Sequence, residues 1–448
     1  MRRVLMINRI SEITENKKNL LIKWRRDFHK YAESGWVEFR TASLIASRLS
    51  NWGYEVHVGR DVMDTHSRMG VPDQDYLDKH YHRAIQQGAD PEWVSRLCNG
   101  FTGVVGILDT ERPGPTIGLR FDMDALDLQE SSDDNHVPVK ESFVSINDRM
   151  MHACGHDAHM SIGLGIASIL AEIKDDLHGK VKFIFQPAEE GVRGAKSMVE
   201  AGVVDDVDIF ISQHIGFGAE LGEFVCSDLG FLATTKLNIT FHGKAAHAGA
   251  NPEEGNNALL AAATATLNMH AISAHSAGES RINVGVFHAG SGRNIIPNKA
   301  ELQIETRGAT TEINNYMFDR VRKIVEAAGD MYEVDTNIEE MGAAPTCSPN
   351  EDLLDILWKN AQTVEDIRKI TTTFTSGGSE DATYMMSRVR ENGGHAAYVV
   401  FGTTLSAGHH NEKFDIDEEV IPLAVKTLVS CITQSQNSFM SLSRGDEL

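Results

Sequence analysis

The sequence is poor in the features that mark several protein classes. It has 5 cysteines, odd in number and scattered at Cys98, Cys154, Cys226, Cys347 and Cys431. That is no disulfide framework, and a reducing cytoplasm is the expected setting. Proline is scarce, with 11 residues, and no low-complexity tract or internal repeat occurs, which excludes collagen-like and largely disordered chains. No apolar run approaches the roughly 20 residues needed to span a bilayer. Arg2-Arg3 is not followed by a long apolar stretch, so no signal peptide is expected. The last residues, Gly445-Asp446-Glu447-Leu448, look like a retention tail, which without an export signal is read as chance. Positive charge is also short: 42 Lys and Arg stand against 64 Asp and Glu, a formal charge of −22. Nucleic acid and anionic membrane both need basic footprints, so neither is an expected partner. An anionic ligand would need a local basic pocket.

What is present is an ordinary globular composition, 41% apolar and 24% charged over 448 residues, too long for one core. Helices are predicted over 13–31 and 41–50, and 54–100 has no clean period. From 101 the pattern sharpens. Strands are predicted over 103–108, 116–121, 181–185 and 208–212, and helices over 157–174 and 190–201. Their alternation predicts an α/β fold with a largely parallel sheet covered by helices on both faces. Near Gly230 the rhythm changes to strand–helix–strand–strand–helix–strand, the ferredoxin-like unit. Three segments follow: a catalytic domain over 1–229 and 344–448, and an inserted lid or dimerisation domain over 230–343. Helix 351–363 and strand 397–401 resume the first pattern.

Four places put metal-capable side chains just beyond the carboxyl end of a predicted strand: Asp122 and Asp124, Glu189 and Glu190, His214, and His409 and His410. In open α/β sheets ligands bind outside those strand ends, so distant segments can converge there. The richest cluster is His152-Ala153-Cys154-Gly155-His156-Asp157-Ala158-His159. A Cys thiolate and a His imidazole are good ligands for a divalent transition metal. Of the Glu189-Glu190 pair, one carboxylate can bind metal while its neighbour takes a proton from water acidified by the cation. Helix-dipole preference alone also places acids in a first helical turn. One carboxylate of Asp122-Met123-Asp124 can orient a ligating histidine. In the inserted unit, His247, the Arg293-Asn294 pair and Arg307 can clamp a carboxylate or stabilise an oxyanion.

Four motifs occur in order: Asp122-Met123-Asp124-Ala125-Leu126, Met151 to Asp157, Gln186-Pro187-Ala188-Glu189-Glu190-Gly191 and Gly243 to Gly249. Together they resemble the dinuclear metallo-amidohydrolases, a family that includes aminoacylases, hippurate hydrolases and glutamate carboxypeptidases. Trp24 to His29, Tyr31 to Arg40 and Gly408 to Asp415 are similar to a narrower branch that cleaves an aroyl–glutamate amide. The resemblance implies Cys154, His156, Glu190, His214 and His410 as ligands of two divalent ions, manganese or zinc. It implies Glu189 as general base, and His247 reaching into a partner subunit's site. Asn294 and Arg307 would contact the substrate carboxylate. Asp124 is taken with the catalytic set, and Arg193 is a candidate for a second carboxylate of a small N-acyl-glutamate substrate. Many relatives have His-x-Asp where this chain has Asp122-Met123-Asp124, and a carboxylate where it has Cys154. The alternatives are an aminoacylase or dipeptidase for other N-acyl amino acids, and a subunit that completes the site of a paralogous partner. The oligomer is a homodimer or such a heterodimer.

Overall fold

A computed structural model describes residues 2–444, and the four-residue tail from Gly445 lies outside them. Within them twelve strands form two sheets. The strands are β1 Glu55–Val58, β2 Val104–Asp109, β3 Thr116–Asp122, β4 Lys180–Gln186, β5 Ile209–Ile215, β6 Glu223–Cys226, β7 Ala233–His242, β8 Ser280–Ala289, β9 Lys299–Gly308, β10 Asp335–Ala344, β11 Lys369–Thr371 and β12 His395–Phe401. The larger sheet has the order β1-β2-β4-β3-β5-β12-β6-β11.

The centre of this sheet is parallel, through the pairs β4–β3, β3–β5 and β5–β12. Its flanks are mixed, because β1–β2, β2–β4 and β12–β6 are antiparallel. Four of the seven pairings are parallel, the edge pair β6–β11 included, so the sheet is parallel at its centre and mixed toward its flanks. The central strands are buried along nearly their whole length, as both-face coverage by helices requires. Helices Arg2–Lys30, His156–Glu172 and Val420–Gln434 pack against one another. Helix Arg2–Lys30 starts well before the predicted residue 13, because the apolar residues of its first turns are bunched in the run from 4 to 7 and show no clear period.

Other boundaries also shift. β2 and β3 share the sheet but are not neighbours; β4 lies between them. The segment 54–100 is not a surface appendage. It contains β1, helix Gln74–Gln86 capped by Asp73, and short helix Pro91–Val94, and it sends Leu77, Trp93, Val94 and Leu97 into the main core. The helix predicted over 190–201 is only Ala195–Glu200. Residues 187–194 form an irregular turn instead, with Ala188, Gly191 and Val192 all at positive φ.

The second sheet is antiparallel with order β10-β7-β9-β8. One face of it packs on helices Ala258–His270 and Thr311–Tyr332 around Leu237, Ile239, Phe241, Leu302 and Ile304, a core separate from the first. Side chains alternate along a strand. Lys236 and Asn238 on β7, with Gln303 and Glu305 on β9, therefore share the opposite face, which borders the cavity described below.

Candidate metal centre

The carboxyl ends of β3, β4, β5 and β12 lie side by side, and the side chains they carry meet. Cys154 Sγ is 3.5 Å from His214 Nε2. His410 Nε2 is 3.5 Å from Glu190 Oε1, and His156 Nε2 is 3.9 Å from Glu189 Oε2. Three overlapping triads have ligand atoms within 4.8 Å of one another: Cys154–His156–His214, Cys154–Glu190–His410 and His156–Glu189–Glu190. The first two share Cys154, so the cluster offers two adjacent positions for cations.

Local folding sets these atoms. Gly155, at φ 97, turns the chain into helix His156–Glu172; a Cβ there would also meet the Ile215 side chain at 2.7 Å. His156 donates its Nδ1–H to the Asp124 carbonyl at 2.8 Å, and His214 donates its own to the Ile215 carbonyl at 2.7 Å. Both rings thereby turn Nε2 toward the cluster, where it can serve as a ligand atom. His156 Nε2 and Glu190 Oε1 are buried without a hydrogen bond. Buried polar atoms are rarely left so, and these two point into a thiol, imidazole and carboxylate donor set. The residues fit divalent transition-metal ions, with sulfur favouring zinc.

His214 is part of β5 rather than beyond it, because the strand runs three residues past its predicted end. Asp124 also differs from expectation. Its carboxylate accepts the N–H groups of Glu189 and Glu190 at 2.9 and 3.0 Å, so it fixes the irregular turn, while its backbone carbonyl holds the histidine. Since Glu189 and Glu190 precede the helix at Ala195, no helix dipole explains them.

Residue chemistry alone did not separate the two adjacent histidines; the resemblance singled out His410. His409 accepts the Phe217 N–H through Nε2 at 3.2 Å and turns Nδ1 to Cys154 Sγ at 3.7 Å, so it serves the sulfur. His410, at φ 63, faces Glu190. His159 is fully engaged, donating to Asp122 at 2.6 Å and accepting the Ile215 N–H at 3.1 Å. Glu380 and Asp381 were also missed. With Asp122 they surround the fully buried Arg120, and they lie against Glu189. Burial, and then the charges of Glu380, Glu190 and Asp381, push the Glu189 carboxyl well above the usual range.

Arg307 joins Cys154, Glu189, Glu190, His214 and His410 around an inner cavity of about 240 Å³. Arg193 borders an outer cavity of about 820 Å³, its guanidinium donating to the Glu190 and Gly70 carbonyls at 2.9 and 3.3 Å. His247 and Asn294 are not brought to the cluster. His247 accepts the Gly249 and Ala250 N–H groups on Nδ1, and the Asn294 carbonyl accepts from Ala248 in the same exposed loop pair.

Beneath the cluster lies a buried charge network. Arg25 pairs with Asp157 at 2.8 Å, Asp415 at 2.7 Å and Glu418 at 3.2 Å. His29 bridges Asp157 at 2.8 Å and Glu130 at 2.9 Å. Burial alone would lower the His29 pKa, but its bonds to Asp157 and Glu130 outweigh that and raise it to about 9. A raised folded-state pKa stabilises fully below the unfolded value of about 6.5, and the gain disappears as pH rises to about 9. Between pH 6 and 9.5 the wild-type chain is expected to lose about 3 kcal/mol more than H29N in urea unfolding. Parallel losses in the two proteins would refute this protonation state.

Two of the five cysteines, Cys226 and Cys431, are buried at a distance from this chemistry, and all five are free. Among the described residues no helix is long and apolar enough to cross a membrane.

Comparison with known proteins agrees with this geometry. The model of peptidase family M20/M25/M40 matches residues 118–434. A p-aminobenzoyl-glutamate hydrolase subunit from Escherichia coli (strain K12) is 54% identical over 91% of this chain and 94% of its own length. The indole-3-acetyl-aspartic acid hydrolase of Enterobacter agglomerans has the same identity and coverage. The crystal structure of an aminobenzoyl-glutamate utilization protein from Klebsiella pneumoniae superposes with a TM-score of 0.84 at 45% identity, covering 95% of this chain and 98% of that one. On the matched motifs, the shared fold and these relatives, the chain is a hydrolase that belongs to peptidase family M20/M25/M40.

Proposed function

We propose that the chain hydrolyses the amide between an aromatic acyl group and an acidic amino acid, cutting p-aminobenzoyl-glutamate into p-aminobenzoate and glutamate. The observation that carries this reading is the convergence of Cys154, His156, Glu190, His214 and His410 in one cluster, all but His156 lining the inner cavity, with Glu189 beside them. These five residues would hold two divalent cations, manganese or zinc. When bound, the cations polarise the scissile carbonyl and acidify water. Glu189 takes the water proton on a carboxylate oxygen and delivers it to the leaving amine nitrogen. Asp124 holds the Glu189–Glu190 turn in register. Arg307 binds the substrate carboxylate.

The relative that acts on indole-3-acetyl-aspartic acid is as similar as the one named for p-aminobenzoyl-glutamate, which supports aspartate conjugates as a second substrate. Both compounds join an aromatic acyl group to a dicarboxylic amino acid. The test is a panel of p-aminobenzoyl-glutamate, indole-3-acetyl-aspartate, hippurate and N-acetyl amino acids. The acidic aromatic conjugates are expected to lead by tenfold or more in kcat/KM, about 1.4 kcal/mol. A lead of that size for hippurate or the acetyl compounds would make the chain a general aminoacylase.

The working form is a dimer, of this chain or with a paralogous partner. His247 and Asn294 lie in exposed loops away from their own cluster, which supports their serving a partner's site from a lid over 230–343. The Escherichia coli relative is itself named as one subunit of its enzyme. Residues 1–229 and 344–448 would then form the catalytic domain. Free cysteines throughout support a cytoplasmic setting.

A further inference from the structure

Lys236 is absent from the motifs, yet it lies on the walls of both the inner and the outer cavity. Three cations border these cavities, and two are already engaged. Arg307 makes a two-point pair with Glu305, Nε to Oε1 at 3.0 Å and NH2 to Oε2 at 3.2 Å. Arg193 donates to two backbone carbonyls. Lys236 alone of the three has no ion pair or side-chain hydrogen bond among the described residues. Glu305, its register partner across β7 and β9, has its carboxylate committed to Arg307. Lys236 is partly buried, and an ammonium on the cavity wall without a counter-charge, in a chain of net charge −22, suits an anion there.

Register also fixes the spacing. Lys236 lies opposite Glu305, and Arg307 is two residues further along β9 on the same face. Diagonal neighbours of this kind are about 7–8 Å apart at the backbone, and both side chains are long and flexible. A dicarboxylate with a short methylene chain can bridge the two heads. The α-carboxylate is one carbon from the scissile nitrogen, so it belongs with Arg307 in the inner cavity. The side-chain carboxylate falls further out, where Lys236 opens onto the larger cavity.

We propose that Lys236 is the specificity-determining residue that reads the side-chain carboxylate of an N-acyl glutamate or aspartate, in place of Arg193. The assignment rests on the amidohydrolase reading above. It explains how a strongly acidic protein selects a doubly acidic amino acid. A single ammonium is a point charge that tolerates either side-chain length, whereas a guanidinium fork demands one geometry.

The test compares p-aminobenzoyl-glutamate with p-aminobenzoyl-glutamine, which differ only in the charge at that position. Metal-loaded wild-type, K236M, K236R and R193M chains are assayed for kcat and KM. Binding of both compounds to wild type and K236M is measured by calorimetry. The wild-type chain is expected to prefer the glutamate compound by about tenfold or more. In K236M that ratio should fall by about tenfold through KM, with K236R restoring most of it and R193M preserving it. A ratio that survives in K236M, or collapses instead in R193M, overturns the assignment and leaves the amidohydrolase reading intact. A wild-type chain that cleaves neither compound refutes the p-aminobenzoyl-glutamate reading for this chain acting as a homodimer. Calorimetry then still decides for Lys236: charge selectivity lost in K236M supports it, and selectivity retained or absent from both overturns it.

Discussion

Replacing Glu189 with Gln is expected to lower kcat by roughly 10²–10⁴-fold, the usual contribution of a positioned general base, while bound metal stays at the wild-type level. Gln keeps the shape of the side chain and removes its capacity to accept a proton. The proposed ligand shell keeps Cys154, His156, Glu190, His214 and His410, and the backbone N–H of residue 189 still reaches Asp124. Glu189 suits the role for a physical reason. It is buried against Glu380, Glu190 and Asp381, which raise its proton affinity well above that of a free carboxylate. Elemental analysis of the purified variant, run beside the kinetics, separates a lost base from a lost metal. A kcat within tenfold of wild type at normal metal content would remove Glu189 from the proton path.

The second large effect concerns stability. R25M is expected to destabilise the chain by about 3–5 kcal/mol, because removing one partner from a buried ionic network leaves the others uncompensated. Arg25 has no exposed surface and neutralises Asp157, Asp415 and part of Glu418 together. Those acids come from different parts of the chain. Asp157 follows the ligand candidate His156, and Asp415 closes the loop that carries His409 and His410. The loss is therefore expected to extend from the unfolding midpoint to metal affinity, since both ligand segments are tied to helix Arg2–Lys30 through one guanidinium. Denaturant unfolding with and without metal measures both effects. A variant within 1 kcal/mol of wild type would show that His29 and the remaining partners suffice to hold Asp157 and Asp415.

Much of this centre is written locally in the chain. Gly155 between Cys154 and His156, and the paired Glu189-Glu190 after an apolar strand, are short-range patterns whose chemistry reads directly. The alternation along β7 and β9 separates a core face from a polar face before any coordinates are seen. What it does not disclose is the purpose of the polar face. Lys236 and Asn238 have the same pattern as solvent-exposed strand residues, and only the cavity beside them gives Lys236 a role. Tertiary hydrogen bonds likewise decide between neighbours of equal chemistry. His409 and His410 differ because one ring is occupied by the Phe217 N–H and the other is not. The Asp124 carboxylate holds a turn, leaving the His156 ring to its backbone carbonyl, because two amides from another segment point at it. Glu380 and Asp381 follow a glycine-rich loop without a motif, and their place beside Arg120 depends on strand order.

The helix predicted from 190 starts late because Gly191 and Gly194 are poor helix formers, and positive φ at Gly191 and Val192 with the Glu189 and Glu190 amides on Asp124 hold the segment in a turn. Residues 54–100 were opaque because helix Gln74–Gln86 buries only Leu77, His80 and Ala84, too few positions to show a period.

The central claim is that side chains from distant segments gather around two cations. Anomalous diffraction from crystals grown with manganese or zinc tests it most directly. Two adjacent peaks are predicted, bordered between them by Cys154, His156, Glu190, His214 and His410. A single peak, or peaks that leave Cys154 or Glu190 without a cation, would contradict the account.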